Sequence, residues 1–152
     1  MSIVGELQYE LGDRLCYVVR HFPLVDLHFQ AMRAAEAAEA AAAQNQFWQM
    51  HYSLFEFPSA LSETNLFHYA RKLGLDSDLF DRDLNNEHHL RHIQEDIKTG
   101  IESGVDSTPT FFIADAVARA IAYAILQRRG SANEQPLDVD VNEIIIRPTH
   151  QT

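Results

Sequence analysis

Cysteine is almost absent from this sequence, because Cys16 is the single one among 152 residues. One thiol cannot close an intramolecular disulfide, form a Cys-x-x-Cys redox pair or build a thiolate zinc site by itself. Cys16 lies in the apolar run 15–19, which is typical of a strand, so we interpret it as a small hydrophobic residue. A reactive or intermolecular thiol is the alternative interpretation.

Basic residues and glycine are also scarce. The chain has 12 basic and 22 acidic residues, for a net charge of −10, and this charge repels phosphate backbones and anionic lipid surfaces. Its six glycines are scattered, so no glycine-rich phosphate loop is present. These two shortages argue against nucleic acid as a partner and against a nucleotide-binding motif.

Long apolar runs are missing as well. No stretch reaches the ~18 apolar residues that a membrane span needs, and residues 1–15 show no basic segment followed by an apolar one. We therefore expect no membrane partner and a cytoplasmic location for the chain as written. The location stays open if the natural start lies upstream.

The apolar residues that are present predict an α/β fold. With 46% hydrophobic residues, the chain can bury a core as one domain. A helix is predicted over 2–11, a strand over 15–22 and a second strand from residue 110, with helices between the strands. Strands separated by a long helical stretch indicate helices packed on a small sheet. A helix over 114–129 and a late strand over 139–147 complete the prediction.

The helical stretch divides at recognisable start and stop signals. The alanine-rich segment 28–45 predicts a closely packed helix, and a second helix is predicted over 46–57. Ser62 and Asp76 are predicted N-caps of the next two helices. A last helix ends at Ser103, before Gly104, and isoleucines repeat every fourth residue along it.

The segment GVDSTPTFFI, residues 104–113, places Pro109 immediately before the second strand. Proline cannot donate to a strand ladder, and an X-Pro bond can be cis at a modest energetic cost. A cis bond here would turn the N–H and C=O of Thr108 outward, where an extended peptide could use them. Thr108 and Pro109 are therefore our candidate substrate-binding residues.

Three segments together resemble the DsbA-like thioredoxin-fold family of bacterial thiol–disulfide oxidoreductases. They are GVDSTPTFFI, ELGDRLCYVVRHFPL and AAEAAEAAAAQNQFWQMHYSLFE, and the resemblance covers about residues 5–113. It implies a thioredoxin-like fold with an inserted helical domain. The sheet core would comprise residues 1–25 and 104–152, and the helical subdomain residues 26–103.

The departures from that family are the first core strand and the Cys-x-x-Cys motif, which are both missing here. Cys16 lies on the following strand and matches neither family cysteine. Thiol–disulfide exchange needs an attacking and a resolving thiol, so we expect a truncated, redox-inactive member with no catalytic residue and no cofactor. The alternatives are a peptide- or protein-binding module and a glutathione- or metal-dependent enzyme on the same scaffold.

The missing strand also bears on partners. A sheet that lacks one strand has an open edge or gap, so we predict that the chain either forms a homodimer or pairs its own late strand into the vacancy. The resemblance further implies an extended polypeptide or a thiol protein as the partner at Thr108 and Pro109.

The histidines and aromatic residues have two interpretations each. His88 and His92 share a helix face and could ligate a metal together with Glu95 or Asp96, but a solvated helix face is the interpretation that we favour. His21 and His28 are expected to make structural hydrogen bonds, and His51 to be half-buried. The apolar rings of residues 47, 48, 55 and 57 could line a peptide groove or pack in the core.

Overall fold

The computed structural model describes residues 3–113 and 143–148 of the chain. Its helices are α1 Ile3–Leu11, α2 Ala31–Ala42, α3 Phe47–Glu56, α4 Glu63–Lys72, α5 Ser77–Leu84 and α6 Glu87–Glu102, and its strands are β1 Leu15–Arg20, β2 Phe111–Ile113 and β3 Glu143–Pro148. The predicted α/β composition is therefore present, whereas the helix predicted over 114–129 lies outside the described residues. Among the described helices, none is long and apolar enough to cross a membrane.

The described residues form two compact units. The sheet unit contains residues 3–20, 110–113 and 143–148, and the helical unit contains residues 21–109. In the sheet unit the strand order is β1-β3-β2. β3 runs antiparallel to β1, with Val18 opposite Ile145, and parallel to β2, with Phe112 opposite the same Ile145. The late strand predicted over 139–147 thus lies at 143–148, between the other two, while the homodimer stays a prediction.

The first strand is shorter than the predicted 15–22 and ends at Arg20. The reason lies in the next residue, because the backbone N–H of His21 donates to Oδ2 of Asp96 at 2.9 Å. A backbone N–H bonded to a carboxylate does not take part in a strand ladder. His21 is therefore the first residue of the helical unit.

The alanine-rich helix begins at Ala31 rather than at residue 28. The backbone N–H groups of Leu27 and His28 both donate to the carbonyl of Leu24, at 3.0 and 2.9 Å, so this segment forms turns before the helix. Alanine richness extends a helix only once it has been nucleated, and nucleation in this segment competes with local turns. The helix ends at Ala42, and Asn45 adopts a positive φ of 61°.

The predicted caps are confirmed. The Ser62 side chain accepts a hydrogen bond from the N–H of Asn65 at 3.4 Å, and the Asp76 side chain accepts one from the N–H of Leu79 at 2.8 Å. Gly74 follows α4 with a φ of 75°. There the N–H groups of residues 74 and 75 bond back to the carbonyls of residues 71 and 70, which is the Schellman pattern of a glycine-terminated helix.

The described core lies in the helical unit around α2, which contacts α3, α4, α5 and α6. The alanines of α2 that face this core are almost completely buried, and small side chains let helices approach closely. The core cluster comprises Ala34, Ala37, Ala38, Ala40, Ala41, Met50, Leu54, Leu61, Leu66, Tyr69, Ala70, Leu75, Phe80 and Leu84. The isoleucine repeat of α6 is only partly buried, because Ile93 is inaccessible and Ile101 is 60% exposed.

Candidate functional site

The loop that carries the predicted peptide-binding residues begins where α6 ends. Gly104 has a φ of 86°, a conformation that side-chain-bearing residues rarely adopt. The N–H of Gly104 bonds to the carbonyl of Ile101, and the N–H of Val105 bonds to that of Gly100, both at 3.0 Å. Val105 is buried and holds the start of the loop against the helical unit.

Beyond Val105 the loop emerges toward solvent. Asp106 and Ser107 are exposed, and the Ser107 hydroxyl donates to Oδ1 of Asp106 at 2.8 Å. Thr108 is half-buried, Pro109 is exposed, and the peptide bond between them is cis. One residue, Thr110, separates Pro109 from β2. The two candidate residues therefore lie together on a loop that leads directly into the strand.

A second group of polar residues is buried at the start of the helical unit. His21 is 2% exposed, and its Nε2 lies 2.8 Å from Oε1 of Glu39 on α2. Since a carboxylate can only accept, Nε2 carries the proton of this hydrogen bond. Asp96 on α6 is 5% exposed and accepts from the backbone of His21. The group thus joins His21, the first residue of the helical unit, to two helices of the same unit.

Burial and charge act in opposite directions on Glu39. Burial raises the pKa of a carboxyl group, but the hydrogen bond and the charge of His21 oppose it, with smaller effects from His92 and His89. The net result is a pKa below the ordinary value for glutamate. Glu39 is therefore ionised at neutral pH and accepts the hydrogen bond of His21 as a carboxylate.

His51 on α3 responds mainly to burial. It is 7% exposed, and its ring lies 4.6 Å from that of Phe55 and 5.7 Å from that of Phe47, centroid to centroid. Burial, together with the charge of His21, lowers its pKa from 6.5 to about 4. His51 is thus neutral at pH 7, and it is more deeply buried than the half-buried position that we predicted.

The chemistry of this buried group is structural. A histidine paired with a carboxylate can activate a nucleophile through its other ring nitrogen. Within the described residues, however, Nδ1 of His21 is buried and makes no hydrogen bond. No hydroxyl or thiol is therefore activated there, and the structural hydrogen bonding predicted for His21 is observed.

The sequence did not predict the burial of either acidic member of this group, or their bonds to His21. Asp96 lies three residues after Ile93 and four before Gly100, and all three are buried. Glu39 is likewise surrounded in sequence by alanines that are buried. An acidic residue on the apolar stripe of a helix is a signal that could have found them, since such a residue is buried only with a partner.

The possible metal site is not assembled in the described part of the chain, where no three histidine, cysteine or acidic side chains could hold a metal ion together. Nε2 of His92 lies 4.0 Å from Oδ2 of Asp96, and its side chain is half exposed. The side chain of His88 lies outside the described residues. A joint role for His88 and His92 therefore stays a prediction.

Cys16 and the aromatic residues occupy ordinary positions. Cys16 is a free, half-buried cysteine on β1, opposite Arg147 of β3. Phe47 packs against the helical core and contacts Trp48 edge-on, with 5.3 Å between the ring centroids. Phe55 is half-buried and Phe57 is 39% exposed. Phe47, at least, contributes to core packing.

Comparison with known proteins assigns this chain to a family. The family model of the DSBA-like thioredoxin domain matches residues 16–128, which is most of the chain. The chain therefore belongs to the DSBA-like thioredoxin domain family. Membership of this domain family supports the resemblance to thiol–disulfide oxidoreductases that the sequence showed. No solved structure matches the chain significantly.

Curated relatives are similar over a small part of their own length. A protein of Salinispora tropica named Na(+)/H(+) antiporter NhaA 3 is 44% identical over 97 residues, which cover 64% of this chain and 15% of that protein. A protein of Mycolicibacterium vanbaalenii named Na(+)/H(+) antiporter NhaA 1 is 36% identical over 112 residues, covering 72% of this chain and 18% of that protein. The chain thus spans less than a fifth of the relatives it matches.

Proposed function

We propose that these 152 residues form a polypeptide-binding domain of the DSBA-like family that does not itself exchange disulfides. Thr108 and Pro109 are the residues that contact the backbone of an extended partner. The observation that carries the proposal is the presence of one cysteine in a chain that belongs to this family. Disulfide exchange within one domain needs two thiols, whereas binding a polypeptide needs none.

The position of Cys16 supports the proposal. A reactive thiol must be accessible to the disulfide that it attacks. Cys16 is instead half-buried inside β1, a strand that pairs along its length with β3. This position suits a side chain that packs against its neighbours rather than one that attacks a disulfide.

The loop that holds Thr108 and Pro109 supports the binding part of the proposal. Its start is fixed by the buried Val105 and by the hydrogen bonds that end α6. Its exposed part ends at Pro109, next to the residues that enter β2. A loop that is anchored at its start but exposed beyond it can bind a peptide backbone while losing little conformational entropy of its own.

The finer architecture is part of the same proposal. We infer that the helical unit, residues 21–109, is an insertion into a thioredoxin-like core whose first strand is not among the described residues. The succession of β1, five helices and β2 supports the insertion. The names of the relatives state sodium–proton antiport. This activity is not part of the proposal for this chain, because the chain covers only 15–18% of the lengths of those proteins.

The redox part is tested by turbidity measurements of insulin reduction in dithiothreitol. We expect the purified chain and its Cys16→Ser variant to match the rate with dithiothreitol alone. Catalysis by the chain that disappears in Cys16→Ser would overturn the proposal, because a single thiol would then support exchange.

The binding part is tested with a fluorescein-labelled, carboxymethylated insulin B chain, an extended polypeptide without free thiols. Fluorescence anisotropy gives its Kd. We expect Pro109→Ala to raise the Kd about fivefold, corresponding to the loss of about 1 kcal/mol of contact. Pro58→Ala is the matched control, because Pro58 is also exposed but follows α3. Equal Kd values for the two variants would contradict a role for Pro109.

A further inference from the structure

The sheet unit contains a strand position that is bordered on both sides. Ile144, Ile145 and Ile146 of β3 each lie opposite one residue of β1 and one residue of β2. Within the described sheet, β1 and β2 do not pair with each other, so β3 is the element that joins them. We name the space between β1 and β2, which β3 fills, the strand slot.

The strand slot has two backbone edges of different kinds. A strand inside it pairs antiparallel with Leu15–Arg20 on one side and parallel with Phe111–Ile113 on the other. Adjacent strands lie about 4.8 Å apart, so the slot accommodates one extended chain. Paired edges of this kind accept a strand through backbone hydrogen bonds that any polypeptide can supply.

The strand that fills the slot comes from a distant part of the sequence. Residues 114–142 connect β2 to β3, so the pairing of β3 is not fixed by a short turn. Hairpin strands are held in register by their loops, whereas a strand reached through a long connection is held by its own ladder. A free peptide of the same sequence can therefore form the same hydrogen bonds as β3.

The residues of β3 define the chemistry of that peptide. The strand reads EIIIRP, in which three consecutive β-branched residues favour the extended conformation. Pro148 lacks an N–H group and lies at the last position of the strand, beyond the residues that pair with both β1 and β2. The slot therefore suits a short, extended segment rich in β-branched residues.

We propose that the strand slot between β1 and β2 is a binding site for such an extended peptide, and that residues 143–148 are its occupant within the chain. The segment 143–148 then competes with peptides supplied by other molecules. This site is distinct from Thr108 and Pro109, and the inference does not depend on the proposed function.

The test disrupts β3 with a proline substitution and then adds a separate peptide that has the sequence of β3. Ile145→Pro removes a backbone donor from the middle of β3, where proline is not tolerated. The probe is a fluorescein-labelled peptide with the sequence of residues 142–150, NEIIIRPTH. We expect the Ile145→Pro chain to bind it at least about tenfold more tightly than the unmodified chain does. Ile145→Val, which keeps the strand, is the matched control and should bind like the unmodified chain.

Four results would overturn the proposal. One is equal binding of the probe by the Ile145→Pro and Ile145→Val chains, and another is equal binding of a probe that itself carries Ile145→Pro. The third is loss of the helical circular dichroism signal in both Ile145→Pro and Ile146→Pro, because β3 would then be an integral strand that cannot be exchanged. The fourth is a dimer of the variant in light scattering, in place of a complex of one chain and one peptide, since a dimer would assign the slot to a second copy.

Discussion

The two units of this protein are stabilised in different ways. In the helical unit, the residues of the core cluster have side chains that are less than a tenth exposed. In the sheet unit, every described side chain of residues 4–20 and 110–112 is at least partly exposed. The described strands of the sheet unit instead share continuous backbone ladders. Side-chain burial therefore dominates in the helical unit, while backbone pairing dominates in the described part of the sheet unit.

The largest effect should come from opening a cavity in the helical unit. Phe80 is completely buried, and its ring lies edge-on to that of Phe67 at 5.4 Å. Phe80→Ala should lower the free energy of unfolding by about 3 to 5 kcal/mol, because it removes buried apolar area and leaves a void. Urea unfolding followed by far-ultraviolet circular dichroism measures the change.

Phe111→Ala is the matched control in the sheet unit. Phe111 is 44% exposed on β2, so its truncation should cost less than about 1 kcal/mol. A similar loss for the two variants would contradict the comparison, since it would mean that side-chain burial matters equally in both units.

The second effect tests whether the helical unit also depends on keeping a buried side chain neutral. His51 has a pKa of about 4 in the folded chain against 6.5 ordinarily, chiefly because of its burial. Between these pH values the unfolded state binds more protons than the folded state, so the free energy of unfolding falls as the pH falls. The His51 contribution is complete above pH 6.5, and about 3 kcal/mol of it should be lost by pH 4.

His51→Phe isolates this contribution, because phenylalanine keeps an aromatic ring beside Phe47 and Phe55 but does not titrate. Stability measured by urea unfolding from pH 7 to pH 4 should fall less steeply in this variant. The control is His68→Phe, at an exposed histidine of α4, which should retain the slope of the unmodified chain. Glu39, whose pKa is lowered, adds a loss of stability that begins only below its ordinary value of 4.5. An unchanged slope in His51→Phe would show that burial of His51 has no effect on proton binding.

The difference between local and non-local interactions explains which features the sequence could predict. Helix signals are local, so the N-caps Ser62 and Asp76 and the stop at Gly74 follow from a few neighbouring residues. The loop with Thr108 and Pro109 is predictable for the same reason, because its signal, a proline before a β-branched and aromatic run, lies within the ten residues 104–113. Local chemistry is thus sufficient for the caps and the candidate loop.

The features that sequence reasoning missed are non-local. Asp96 is buried and Glu39 is half-buried, both bond to His21, and neither is close to His21 in sequence. The first strand was predicted too long because its end depends on that same contact with Asp96. The sequence predicted that the late strand could pair within the sheet but not its place in the order β1-β3-β2, which joins strands that are far apart in the chain. Such pairings depend on three-dimensional packing, which hydrophobic periodicity does not encode.

The smallest effect separates local capping from burial within the helical unit. Asp76 accepts a hydrogen bond from the N–H of Leu79 at 2.8 Å, and its side chain is exposed. Asp76→Ala should cost about 1 kcal/mol, because it leaves an N–H at the first turn of α5 without its protein acceptor. Asp78→Ala is the matched control, since it removes a charge from the same turn but no cap, and should cost a few tenths of a kcal/mol. Equal costs in urea unfolding would assign the effect to charge at the helix end rather than to the hydrogen bond. A cost near that of Phe80→Ala would instead show that the caps, and not the buried core, dominate the stability of this unit.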